Sequence, residues 1–145
     1  MTVVSTTEEA CAGSSPSERS SGVSGTAPLA INVNAKPGAS GAILGFPENG
    51  SYDVEPGRLG PTVTANTQDA YGRGPVSRRI TTLRGHVRHG NSGGPMVDGR
   101  GRVVTTIFAS AASGDQKEGY GVPDSIVRDA LGRAQDPVDT GPCVR

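Results

Sequence analysis

At 145 residues, with 14 Lys and Arg balanced by 14 Asp and Glu, the chain has the length of one globular domain. It carries no excess charge that would draw it to nucleic acid or to an anionic membrane. No run reaches about 18 apolar residues, which excludes a bilayer-spanning helix, and the N-terminus lacks the basic start and apolar core of a signal peptide.

Residues 1–27 read as a disordered polar leader: seven Ser fall between Ser5 and Ser24, with too little apolar surface to offset the entropy of ordering. From Leu29 the texture changes to short apolar runs cut by turn formers. Leu29–Val33, Ala42–Phe46, Gly60–Ala65, Val76–Leu83, Pro95–Val97 and Arg102–Ala109 are predicted strands. The separators are Lys36-Pro37-Gly38, Pro47-Glu48-Asn49-Gly50, Pro56-Gly57, Gly72–Pro75 and Asp98-Gly99-Arg100-Gly101, the last a hairpin signal. One helix follows, capped by Asp124 or Ser125, with Ile126, Val127, Ala130 and Leu131 on one face and Gly132 at its end. With 22 Gly and 11 Pro, this pattern predicts an all-β domain, a small barrel or sandwich with one short C-terminal helix. The domain is bounded at 28–135, and residues 136–145 form a C-terminal tail.

Chemistry concentrates at Gly90-Asn91-Ser92-Gly93-Gly94-Pro95. These residues also fit Gly-x-Ser-x-Gly, but an α/β-hydrolase needs a helix after the Ser and a later His. Here Gly93, Gly94 and Pro95 follow, and no His occurs after His89. The other reading accounts for each residue. A nucleophilic Ser needs main-chain N–H groups aimed at the oxyanion of the tetrahedral intermediate. Glycine removes the side chains that would block the approach. Gly90 and Ser92 then supply the two donors, Asn91 braces the loop, and Pro95 fixes the start of the next strand.

With Met96-Val97-Asp98 and Gly101-Arg102-Val103-Val104, this loop resembles the nucleophile loop and following hairpin of trypsin-like bacterial serine proteases. Gly119-Tyr120-Gly121-Val122-Pro123 is similar to their last barrel strand. Gly41-Ala42-Ile43-Leu44-Gly45-Phe46-Pro47 and Asp69-Ala70-Tyr71-Gly72 resemble, more narrowly, the actinobacterial membrane-anchored periplasmic serine proteases with a colicin V production-type membrane domain. The resemblance implies the C-terminal six-stranded β-barrel of a chymotrypsin-like double barrel, a serine endopeptidase of protein or peptide substrates, and an extracytoplasmic, membrane-tethered location. It makes Ser92 the nucleophile, Gly90 part of the oxyanion hole and Phe108, Ala109 and Ser110 the edge that pairs with substrate backbone. His86 would lie near the base of the primary specificity pocket. The family's disulfide near the C-terminus makes Cys143 a candidate half; Cys11, in the leader, has no family motif around it.

The chain departs from that pattern in lacking a triad His and Asp. Residues 1–85 contain no His, and His86 and His89 lie on the loop that builds the oxyanion side. A base must approach the Ser from the opposite side to pass its proton to the leaving amine. The expectation is therefore an incomplete fragment, without its first barrel and membrane domain and inactive alone. A non-catalytic peptide-binding module and a degenerate protease fragment are the alternatives. Arg73, Arg78, Arg79, Arg84 and Arg88 crowd residues 70–97, which hold no Asp or Glu. They read as a solvated strand face, or more sharply as a positive field near the cleft. No His/Cys/carboxylate cluster has metal-ligand spacing and no Gly-rich loop leads into a Lys and a helix, so no metal or other cofactor is expected.

Overall fold

The computed structural model describes residues 27–68, 72–111 and 117–134. The leader before Ala27, Asp69-Ala70-Tyr71, the tail 136–145 and both Cys lie outside the described residues. Six strands follow in chain order: β1 (Ser40–Gly45), β2 (Asp53–Thr67), β3 (Val76–Gly85), β4 (Pro95–Asp98), β5 (Val103–Ser110) and β6 (Glu118–Pro123). They close into an antiparallel barrel in the order β1-β2-β3-β6-β5-β4, and helix α1 (Asp124–Arg133) leaves directly from β6. The expected six-stranded barrel with one helix is thus present.

Inward positions alternate along the strands and meet as one core of Ile43, Leu59, Leu83, Met96, Val104 and Ile107. Thr105, fully buried among them, is satisfied by donating to the Val122 carbonyl at 2.8 Å. The β4–β5 hairpin forms where Asp98-Gly99 predicted it. Asp98 Oδ1 accepts from the Arg100 and Arg102 amides at 2.9 and 3.0 Å, and its Oδ2 accepts from the Arg102 side chain and from Asn32. Partial burial works to raise the Asp98 pKa, but these donors outweigh it and hold the carboxyl well below the usual range.

Three local expectations need correction. Leu29–Val33 is not a strand; it makes one isolated bridge, Ile31 to Val103. β5 already has β4 and β6 as neighbours here, and the segment bonds it only at Val103, beside the hairpin turn, through Ala30 and Asn32. Gly60–Ala65 is the far half of a strand that begins at Asp53, because Pro56-Gly57 lies inside β2 and is not a turn. Pro56 is tolerated there because it sits one residue beyond Gly57–Gly85, the last β2–β3 pair, where no β3 partner awaits its missing N–H. At α1, Pro123 occupies the cap position and no side chain caps the helix. Asp124, the first residue of the helix, breaks the alternation of β6 and is buried at 5% exposure, and the helix runs past Gly132 to Arg133.

Candidate active site

β3 ends at Gly85 and β4 begins at Pro95, so the Ser92 loop is slung across one end of the barrel. It is not helical. Two reciprocal bonds close its tightest turn: the Arg88 amide donates to Asn91 Oδ1 at 2.8 Å and the Asn91 amide to the Arg88 carbonyl at 3.1 Å. Asn91 is only 2% exposed and its carbonyl accepts from the Gly94 amide at 3.0 Å. Gly93 N–H donates to the Ile107 carbonyl at 2.8 Å, anchoring the loop to β5. The loop thereby uses the amides of Asn91, Gly93 and Gly94. Among the described residues, those of Gly90 and Ser92 donate to no acceptor.

Gly90 has φ +93°, and a Cβ there would lie 2.6 Å from the Phe46 carbonyl oxygen. A side chain is excluded twice, by backbone strain and by close approach. Gly93 has φ +84° with no atom near its Cβ position, so it separates the two costs. Gly90→Ala is expected to destabilise the chain by roughly 2–3 kcal/mol and Gly93→Ala by about 1 kcal/mol. Urea melts of the two variants check this; equal losses would show that the approach of Phe46 is unimportant.

Ser92 is exposed, and its Oγ donates to the Phe108 carbonyl at 3.2 Å. β4 pairs with β5 only as far as Thr106, so Phe108–Ser110 has no strand on that side among the described residues. On its other side β6 holds Ala109 and Ser110 against Tyr120 and Gly119. The β5–β6 register slips between Ile107 and Ala109, and Phe108 at that irregularity is turned out to 44% exposure. The structure therefore brings together Gly90, Ser92 and the edge Phe108, Ala109 and Ser110.

His86 is exposed, with Nδ1 3.7 Å from Glu55 Oε1. Its neighbour Val87 turns inward instead: a Cβ on Gly119 would lie 2.5 Å from Val87 Cγ2. Sequence reasoning did not single out Val87, although apolar character between polar His86 and Arg88 is the signal for an inward side chain. It also missed that Arg88 is ion-paired with Asp53 and Glu55 of β2, which removes this Arg from any solvated basic face. The two carboxylates lie 35 and 33 residues away, so no local pattern reveals the pair. A third omission is Phe46 packed against Tyr52 in a tilted pair, ring centroids 5.6 Å apart, exposed on the β1–β2 corner that passes beneath Gly90.

A closed six-stranded antiparallel barrel, ending in a helix and bearing an exposed Ser between glycines, has the fold of a single chymotrypsin-like protease barrel. Comparison with known proteins agrees. No family model matches the chain. The serine proteases MT3772 and Rv3671c, from two strains of Mycobacterium tuberculosis, are each 36% identical over 113 residues, 76% of this chain and 28% of theirs. The crystal structure of the active form of the Rv3671c protease superposes with a TM-score of 0.70 at 34% identity, covering 83% of this chain and 55% of that one. Its inactive form gives 0.65 at 29% identity, covering 77% and 57%. A serine endoprotease from Yersinia pestis, 19% identical with a TM-score of 0.54, shares the fold over 72% of this chain and 34% of its own. The homologues of this chain are serine proteases, and it spans about 28% of the length of the curated relatives it matches.

Proposed function

We propose that this chain is the nucleophile-bearing barrel of a serine endopeptidase, with Ser92 as the attacking group and the Gly90 and Ser92 amides as oxyanion donors. One observation carries the reading: among the described residues, every other amide from Gly90 to Gly94 is bonded within the barrel, while these two are left for a ligand. An extended peptide would add to the open edge Phe108–Ser110 as a further strand. Its side chain before the scissile bond would enter beside Val87 and Gly119, with His86 near the base.

The general base and its orienting carboxylate are supplied, in this proposal, by a second barrel outside these residues. The two His of the chain, His86 and His89, sit before Ser92 on its own loop. The His89 carbonyl is tied to the Glu48 amide at 2.7 Å, on the Gly90 side. The chain alone therefore binds peptides but does not cut them. In the complete protein this barrel would serve a membrane-tethered, extracytoplasmic protease, as the Gly41–Pro47 resemblance suggests.

Amide chemical shifts during titration with a peptide aldehyde test the site without requiring turnover. The shifts of Gly90, Ser92 and Phe108–Ser110 are expected to move together. Perturbations confined to other strands would contradict the assignment.

A further inference from the structure

On the outer face of the barrel, a row of partners runs abreast across four strands: Ser40 of β1 faces Arg58 of β2, Arg58 faces Arg84 of β3, and Arg84 faces Glu118 of β6. Arg58 and Arg84 are thus two like charges directly opposed across a strand pair, an arrangement that destabilises a sheet. Glu118 is the one carboxylate in the row, and Lys117 beside it adds a third cation. Among the described residues no ion pair neutralises Arg58, Arg84 or Lys117. Arg58 Nη1 instead reaches the Gly38 carbonyl at 3.4 Å.

The row borders an open cavity of about 730 Å³ lined by Ser40, Arg58, Arg84, Lys117 and Glu118. Gly41, Gly57 and Gly85, a second row abreast one residue further along, also line it. These residues lack side chains for a reason set by the core. A Cβ on Gly41 would strike the Val97 carbonyl, and one on Gly85 would lie 2.6 Å from Ile43 Cδ1. Their missing side chains would have entered the core, and the cavity outside is an open cup with Arg58, Arg84 and Lys117 along it.

We propose that this cup is an anion site for a tetrahedral oxyanion, a phosphate or sulfate group, held between the guanidinium forks of Arg58 and Arg84 with Lys117 as the third contact. Two planar forks suit several oxygens at once, as a single-charge halide does not. Bound there, the anion converts the Arg58–Arg84 repulsion into two attractions and stabilises the barrel. The site uses no residue of the Ser92 loop, and its fate is independent of the protease reading.

Thermal melting of the whole chain in inorganic phosphate, against chloride at equal ionic strength, tests the proposal. Phosphate should raise the midpoint beyond chloride in a saturable way. Arg84→Gln and Arg58→Gln should each weaken phosphate binding about tenfold or more, the loss of one charged fork. In chloride alone each variant should melt at or above the parent, because a like-charge pair is relieved. Equal midpoints in phosphate and chloride would overturn the proposal, as would a phosphate shift that survives both substitutions. A phosphorylated peptide that competes with inorganic phosphate would identify a side-chain source of the group; its failure to compete, with phosphate still bound, would assign the site to the free anion.

Discussion

When this barrel is joined to a His-bearing barrel that completes the enzyme, Ser92→Ala is expected to lower kcat by a factor on the order of 10⁵–10⁶. Removing the nucleophile leaves only water as the attacking group, and the residual acceleration comes from amides and substrate binding that the substitution leaves in place. The same substitution should change little else. Ser92 is exposed, its hydroxyl bonds the Phe108 carbonyl, and Gly93 and Asn91 hold the loop without it. The expected pattern is lost turnover with an unchanged melt and a substrate affinity within a few-fold of the parent. Steady-state kinetics beside a melting curve would read both. A variant that keeps a tenth of the activity would remove Ser92 from the chemistry.

The second large effect concerns stability and pH. Asp124 begins α1 at 5% exposure, and neither carboxylate oxygen has a hydrogen-bond partner in the barrel. It lines a cavity of about 140 Å³ with Thr62, Thr81 and Arg79, none of which reaches it. Burial pushes its pKa up to about 6 from an ordinary 3.8. The folded form holds the proton more tightly than the unfolded chain, so the group's contribution to stability is fully present below pH 4. It is lost as the pH rises through 6. A gap of this size corresponds to about 3 kcal/mol at full ionisation, less what the positive end of α1 returns to the anion. Asp124→Asn is therefore expected to be more stable than the parent at pH 7.5 by roughly 1–2 kcal/mol, with the advantage vanishing near pH 4. Urea denaturation at both pH values decides it: a difference that stays constant between them would show that the carboxyl is not the cause.

Much of the barrel was legible because its signals are short-range. Asp98-Gly99 encodes its own hairpin through a carboxylate that bonds amides two and four residues on, and Gly90 to Pro95 encode a loop through glycine, proline and the Asn91 side chain that bonds back three residues. Where the sequence misled, the deciding partner lay far away. Pro56-Gly57 looks like a turn until β1 and the end of β3 are known to flank it. Leu29–Val33 has the composition of a strand but finds its place in the sheet taken. At Asp124 a capping residue by type becomes a buried acid, because β6 runs into the helix without a loop to turn it outward. The candidate site divides in the same way. Ser92 and Gly90 follow from local chemistry, whereas the inward turn of Val87 and the pairing of Arg88 with Asp53 and Glu55 depend on strands more than thirty residues distant.

The whole functional account rests on where two N–H groups point. A crystal structure of the completed enzyme trapped with a peptide aldehyde measures it: the hemiacetal oxygen on Ser92 should lie within about 2.7–3.1 Å of both the Gly90 and Ser92 nitrogens. An adduct oxygen turned to solvent, with either amide bonded back into its own loop, would contradict the account.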